Sequence, residues 1–135
     1  MEKLQQTDEL VIAGHVVAGD GRGGAELGFP TANVELDEAA PELPEDGVYA
    51  GWLEDEAGQR RPAAVSVGTR PTYYGEKGVR LIEAYVLDFD GDLYGQRVRV
   101  GVTARVRGQE RFSGNEELIA QMRRDVEAVR ALVGR

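Results

Sequence analysis

Three side chains carry chemically useful groups at informative positions: Thr31, Asn33 and Glu83. Thr31 and Asn33 flank Ala32 directly after Pro30, and in an extended chain residues two apart point to the same side. A hydroxyl and a carboxamide oxygen side by side are hard donors, suited to a magnesium ion that keeps several waters and binds substrate phosphates. Taken alone, the tripeptide fits better a loop in which both side chains bond nearby backbone. Glu83 lies in Arg80-Leu81-Ile82-Glu83-Ala84-Tyr85-Val86-Leu87. There Leu81, Tyr85 and Leu87 share its face and Ile82, Ala84 and Val86 take the other, so neither face looks wet. Burial of a carboxylate there would raise its pKa, as suits a general base near neutral pH. A Glu at a strand edge, or one paired with Arg80 or Arg97, is an equally weighted alternative.

Gly19-Asp20-Gly21-Arg22-Gly23-Gly24 matches G-x-G-x-x-G. A dinucleotide fold needs a helix to begin there, yet the chain runs through Leu27-Gly28-Phe29-Pro30 into another extended segment, so that reading is rejected. The Gly-Lys-Ser/Thr ending of a Walker loop is also missing, and an isolated glycine cluster fits a surface loop equally well. Asp88-Phe89-Asp90-Gly91-Asp92 invites a calcium reading, but its glycine comes fourth rather than sixth and no distal glutamate completes it. A tight acidic turn between strands is expected instead. His15, the sole histidine, has no serine motif beside it and is expected at an ordinary strand or turn position.

The elements that must position these groups follow from periodicity. Extended, β-branched segments are expected at 10–18, 47–54, 61–67 and 80–88, the second and third forming a hairpin across the acidic turn at 54–58. In the next strand Val98, Val100, Val102, Ala104 and Val106 alternate with Arg97, Arg99, Thr103, Arg105 and Arg107, predicting one buried and one wet face. From Ser113 the period changes. Leu118, Ile119, Met122, Val126, Val129 and Val133 make one apolar stripe on a helix of about five turns. Ser113 with Glu116 has capping-box spacing. Short strands in series followed by one helix favour an antiparallel barrel over βαβ units.

The chain has 135 residues, a formal charge of −8 and no cysteine. That length suits one domain with its own core. Disulfides and thiolate chemistry are excluded. The acidic balance argues against nucleic acid or an anionic membrane as partner, though not against a nucleotide held by backbone amides and a metal. The polar start shows no signal peptide or membrane span, so a cytoplasmic location is expected.

Read together, the ordered blocks resemble the riboflavin kinase family. They are the glycine-rich loop leading into Leu27-Gly28-Phe29-Pro30-Thr31-Ala32-Asn33, then Gly47-Val48-Tyr49-Ala50-Gly51-Trp52, Ala64-Val65-Ser66-Val67-Gly68-Thr69-Arg70-Pro71-Thr72, Glu83-Ala84-Tyr85-Val86-Leu87-Asp88, Asp92-Leu93-Tyr94-Gly95 and the stretch 107–112, with Leu118, Gln121 and Asp125 in the helix. The resemblance implies a six-stranded antiparallel Greek-key β-barrel with a C-terminal α-helix, over 10–135, with 1–9 as an extension or linker. It implies transfer of the γ-phosphate of ATP to the ribityl 5'-hydroxyl of riboflavin, giving FMN and ADP. Glu83 would be the catalytic base. Gly19, Arg22, Thr31, Asn33, Val86, Asp88 and Tyr94 would bind ATP, Thr31 and Asn33 would hold Mg2+, and Arg107, Glu110 and Phe112 would contact the flavin. The chain departs from the family pattern at Ala25 and Glu110, where a cation is common. The expected partners are riboflavin and MgATP, with an FAD synthetase domain or protein alongside a monomeric kinase, either free-standing or cut from a bifunctional enzyme. A flavin- or nucleotide-binding module without turnover is the alternative from another class.

Overall fold

Valine-rich alternation produces six strands and one helix among the described residues, which are 9–17, 31–37, 43–70, 79–89 and 91–133 of a computed structural model. The strands are β1 (Leu10–Val17), β2 (Ala32–Leu36), β3 (Gly47–Glu54), β4 (Arg60–Arg70), β5 (Val79–Val86) and β6 (Arg97–Arg107), followed by α1 (Asn115–Val133). All pair antiparallel and close into a barrel in the order β1-β2-β5-β4-β3-β6. β3, β4 and β5 run as a meander and β6 returns beside β3, which is the Greek-key connection expected from the resemblance. The expected β3–β4 hairpin is present, its tip held by Asp55 Oδ1 accepting from the amides of Ala57 and Gln59 at 3.0 and 2.9 Å.

Closure leaves two apolar clusters. Ile12, Tyr49, Leu53, Val65, Ile82 and Val100, with their neighbours, fill the barrel interior. Outside it, Val129 of α1 packs on Ala50 and Leu87, with Tyr85, Val126 and Val133 around them. Leu118, Ile119 and Met122 of the predicted stripe are only half-buried. Among the described residues no helix is long and apolar enough to cross a membrane.

Two sequence expectations change. Val98, Val100 and Val102 face the interior as predicted, but Ala104 and Val106 join the cluster under α1 instead. The β3–β6 register shifts between Val48 and Tyr49 and between Ala50 and Gly51. Each extra residue in a bulge displaces the alternation by one, so β6 serves the interior with its first half and the helix with its second. At the helix start, Ser113 bonds Glu117 rather than Glu116: its amide and hydroxyl donate to Glu117 Oε1 at 3.1 and 2.8 Å. Leu118 donates to the carbonyl of Gly114 at 3.2 Å, so Gly114 stands at the cap position and Glu117, three residues on, reaches back. The Ser113 hydroxyl, then its amide, hold the Glu117 carboxyl below the usual value.

Candidate functional site

Strand register brings distant parts of the sequence into one row. Asn33 on β2 pairs with Glu83 on β5, Glu83 pairs with Ser66 on β4, Ser66 with Val48 on β3, and Val48 with Arg107 on β6. Directly paired residues of antiparallel strands point to the same face, with Cβ atoms about 4.5–5.5 Å apart. This face is the outside of the barrel, since the intervening Ile82, Ala84, Val65 and Val67 fill the interior.

The prediction that neither face of β5 is wet therefore needs correction. Leu81, Glu83 and Tyr85 are all half-buried on the outer face. Tyr85 is covered by α1, while Leu81 and Glu83 line a cavity of about 360 Å3 completed by Asp46, Ser66, Gly68, Thr69 and Gln109. That volume lies in the range usual for small-ligand sites, about 300–1,000 Å3. Its walls carry two carboxyls, two hydroxyls and a carboxamide around the side chain of Leu81. Thr69 Oγ1 donates to Asp46 Oδ1 at 3.1 Å. Gln109 Nε2 reaches Ser66 Oγ at 3.1 Å and the carbonyl of Val67 at 3.0 Å, so the stretch after β6 is drawn over the cavity.

Of the residues singled out from sequence, Asn33 and Glu83 come together, and half-buried Thr31 stands one residue before β2. Gly19 and Arg22 lie outside the described residues. Val86 ends β5 with its side chain in the barrel interior. Asp88 turns the chain at φ 56°, and both its oxygens accept from Arg130 of α1 at 2.8 Å. The Arg130 hydrogen bonds hold the Asp88 carboxyl below its usual value and raise Arg130 above its own. This is the tight acidic turn expected at 88–92, and Asp92 Oδ1 closes its far side on the amide of Tyr94 at 2.9 Å. Tyr94 is 65% exposed.

Arg107 does not project freely toward a ligand. Its Nε and Nη2 donate to the two oxygens of Asp125 at 2.9 and 2.8 Å, and Nη1 donates to the carbonyl of Gly108 at 2.9 Å. Its guanidinium lies 5.8 Å from the ring centre of half-buried Phe112. Glu110 is exposed and does not line the cavity; Gln109 does. His15 holds a strand position between Glu35 and Asp37, at 3.6 and 3.7 Å, as an ordinary surface residue would.

Sequence reasoning assigned no role to Ser66, Thr69, Asp46 or Gln109. Ser66 and Gly68 were detectable as the small or polar positions alternating with Ala63, Val65 and Val67. Gln109 gives no such signal, because its partners are set by the bulged register of β6.

The comparisons agree with this fold. A family model described as riboflavin kinase matches residues 7–133. The bifunctional riboflavin kinase/FMN adenylyltransferase of Escherichia coli K12 is 37% identical over 93% of this chain and 38% of its own length, so the chain spans well under half of such relatives. A human protein named riboflavin kinase is 34% identical over 84% of this chain and 74% of its own. Among solved structures, a Streptococcus pneumoniae chain named as a macrolide-efflux protein superposes with a TM-score of 0.83, at 34% identity over 92% of this chain and 39% of that one. A Trypanosoma brucei riboflavin kinase superposes with a TM-score of 0.67, at 26% identity over 93% of this chain and 80% of that one. With a match from residue 7 to 133 and a closed six-stranded barrel carrying one helix, the chain belongs to the riboflavin kinase family.

Proposed function

We propose that this chain transfers the γ-phosphate of ATP to the terminal ribityl hydroxyl of riboflavin, giving FMN and ADP. The observation that carries the reading is the register pairing of Asn33 with Glu83 on the outer face of the barrel, with Glu83 and Ser66 lining the cavity. Hydroxyl, carboxyl and carboxamide groups around one leucine suit a polyhydroxyl chain attached to an apolar ring.

In this reading Glu83 accepts the proton of the ribityl hydroxyl as its oxygen attacks the γ-phosphorus. The new P–O bond forms as the bond to the β-phosphate oxygen breaks, and ADP leaves. Phosphoryl transfer asks a protein chiefly for positioning and charge neutralisation. The fixed pairing of β2 with β5 supplies the first by setting the metal-side and base-side residues next to each other. Thr31 and Asn33 fit a magnesium ion, since both offer hard oxygens and a site with few protein ligands leaves room for water and phosphate. When bound, that ion would offset the charge on the phosphate oxygens.

The other assignments follow the same reading. Gly19 and Arg22 pass the phosphates, Tyr94 offers its exposed ring to the base, and Val86 and Asp88 shape the turn that presents it. Arg107, Glu110 and Phe112 belong to the flavin side. A cytoplasmic monomer working beside an FMN adenylyltransferase domain or protein fits these substrates.

The test is incubation with riboflavin, ATP and magnesium, followed by separation of FMN. Riboflavin binding without FMN formation would favour the module without turnover. Glu83→Gln should keep the fold and riboflavin binding while losing about 100- to 10,000-fold in turnover, the usual range for general-base removal; unchanged turnover takes Glu83 out of that role.

A further inference from the structure

Asp125 is the one buried charged residue among those described, at 6% exposure, and it sits in the middle of α1 rather than in the cavity. Burying a carboxylate costs several kcal/mol unless its lone pairs are met. Here both oxygens are engaged, because Arg107 donates to each and Gln121 Nε2 adds a third hydrogen bond at 3.0 Å. The third arm of the Arg107 guanidinium holds the carbonyl of Gly108, where β6 has ended and the chain turns toward the cavity. One residue on, the Gln109 carboxamide is tied to Ser66 and Val67. Ser66 pairs directly with Glu83. An unbroken series of contacts therefore runs from α1 to the catalytic strand.

We propose that Asp125 is a positioning residue: by locking the Arg107 guanidinium it sets how the chain leaves β6 and so holds Gln109 over the Glu83 cavity in a ligand-ready arrangement. The flavin consequence rests on the function proposed above, whereas the pinning itself does not. A bidentate Arg–carboxylate pair fixes orientation as well as distance, so it sets the direction in which the chain leaves β6. Its alternative role, plain attachment of α1, is already served by Val126, Val129 and Val133 against the barrel.

Two readouts on Asp125→Asn separate these roles. Without flavin, limited trypsin digestion followed by mass spectrometry compares cleavage after exposed Arg111 with cleavage after Arg60 at the distant β3–β4 turn. Cleavage after Arg111 should accelerate while that after Arg60 stays constant. In kinetics, KM for riboflavin should rise on the order of tenfold to a hundredfold, as for the loss of about 1.4–2.8 kcal/mol of ground-state binding. KM for ATP and kcat should stay within about twofold, the pattern of lost ground-state binding. Asp125→Glu, which keeps the charge and both oxygens, should recover most of the riboflavin KM.

Unchanged Arg111 protection with unchanged riboflavin KM overturns the proposal, as does equal acceleration at Arg111 and Arg60 with all kinetic constants falling together. If the unaltered protein neither binds riboflavin nor makes FMN, the functional reading fails, and the digestion alone decides whether Asp125 pins the segment.

Discussion

Replacing Gly101 with alanine should destabilise the barrel wall, because the position is already occupied by an indole. Trp52 on β3 pairs with Gly101 on β6 and lies across it: a Cβ there would stand 2.1 Å from Trp52 Cε2 and 2.4 Å from Cζ2 and Nε1. The ring cannot slide freely. Arg60 stacks on the ring at 3.6 Å, the indole Nε1 donates to Glu9 Oε2 at 2.5 Å, and only 8% of Trp52 is exposed. Relief therefore requires the indole to withdraw by more than an ångström. Overpacking of this kind costs about 1–3 kcal/mol, and loss of the partly buried hydrogen bond and the cation–π contact adds about 1 kcal/mol more. A total near 3 kcal/mol corresponds to a fall in Tm of about 9–15 °C for a domain of this size. Trp52 is the sole tryptophan, so its fluorescence reports on the ring that must move. The expected result is a red-shifted emission in the folded state and an earlier thermal transition, with kcat/KM at low temperature retained because Glu83 lies on β5, a strand not paired with β3 or β6. An unshifted emission with an unchanged Tm would refute the seating of Trp52 on Gly101.

Two further outcomes follow from the site. Asn33→Ala should raise the magnesium concentration needed for half-maximal FMN formation, and an unaltered magnesium titration would count against ligation there. Arg130 holds the Asp88 carboxyl below its ordinary value of 3.8, so the pair stabilises the fold above that pH and loses its effect as pH falls through the lowered value. The stability difference between the unaltered protein and Asp88→Asn, measured by urea unfolding from pH 7 down to pH 2, should accordingly shrink below about pH 4.

The sequence made most of the fold legible where one element serves one surface. β1, β3 and β5 are short apolar runs rich in β-branched or aromatic residues, enough to be read as strands, and the change of period after Ser113 marks the helix. β6 defeats the same reasoning because its valines and alanine keep period two in the sequence while two bulges shift their faces in space. A pattern of apolar letters carries no trace of an extra residue that matters only against a partner strand. The site divides in the same way. Glu83 was conspicuous as an acid in an apolar run, although the inference of burial on both faces was too strong, because the outer face ends in a cavity rather than a core. Ser66, Thr69 and Gln109 gather around it through pairings between strands and loops far apart in the chain, which local spacing does not encode. The resemblance implies a flavin role for Arg107, and its guanidinium is engaged by the helix, a pairing that local spacing does not encode.

The two ion pairs on α1 have a joint geometric consequence. One ties Asp125 to the end of β6, and the other ties Arg130 to the turn after β5. At about 1.5 Å per residue, positions 125 and 130 are separated by about 7.5 Å along the axis. The helix thus works as a spacer bar, fixing how far apart the two chain segments can drift. Inserting one alanine between the two anchors would rotate one of them by about 100° around the axis, so that no repacking of the barrel alone restores both.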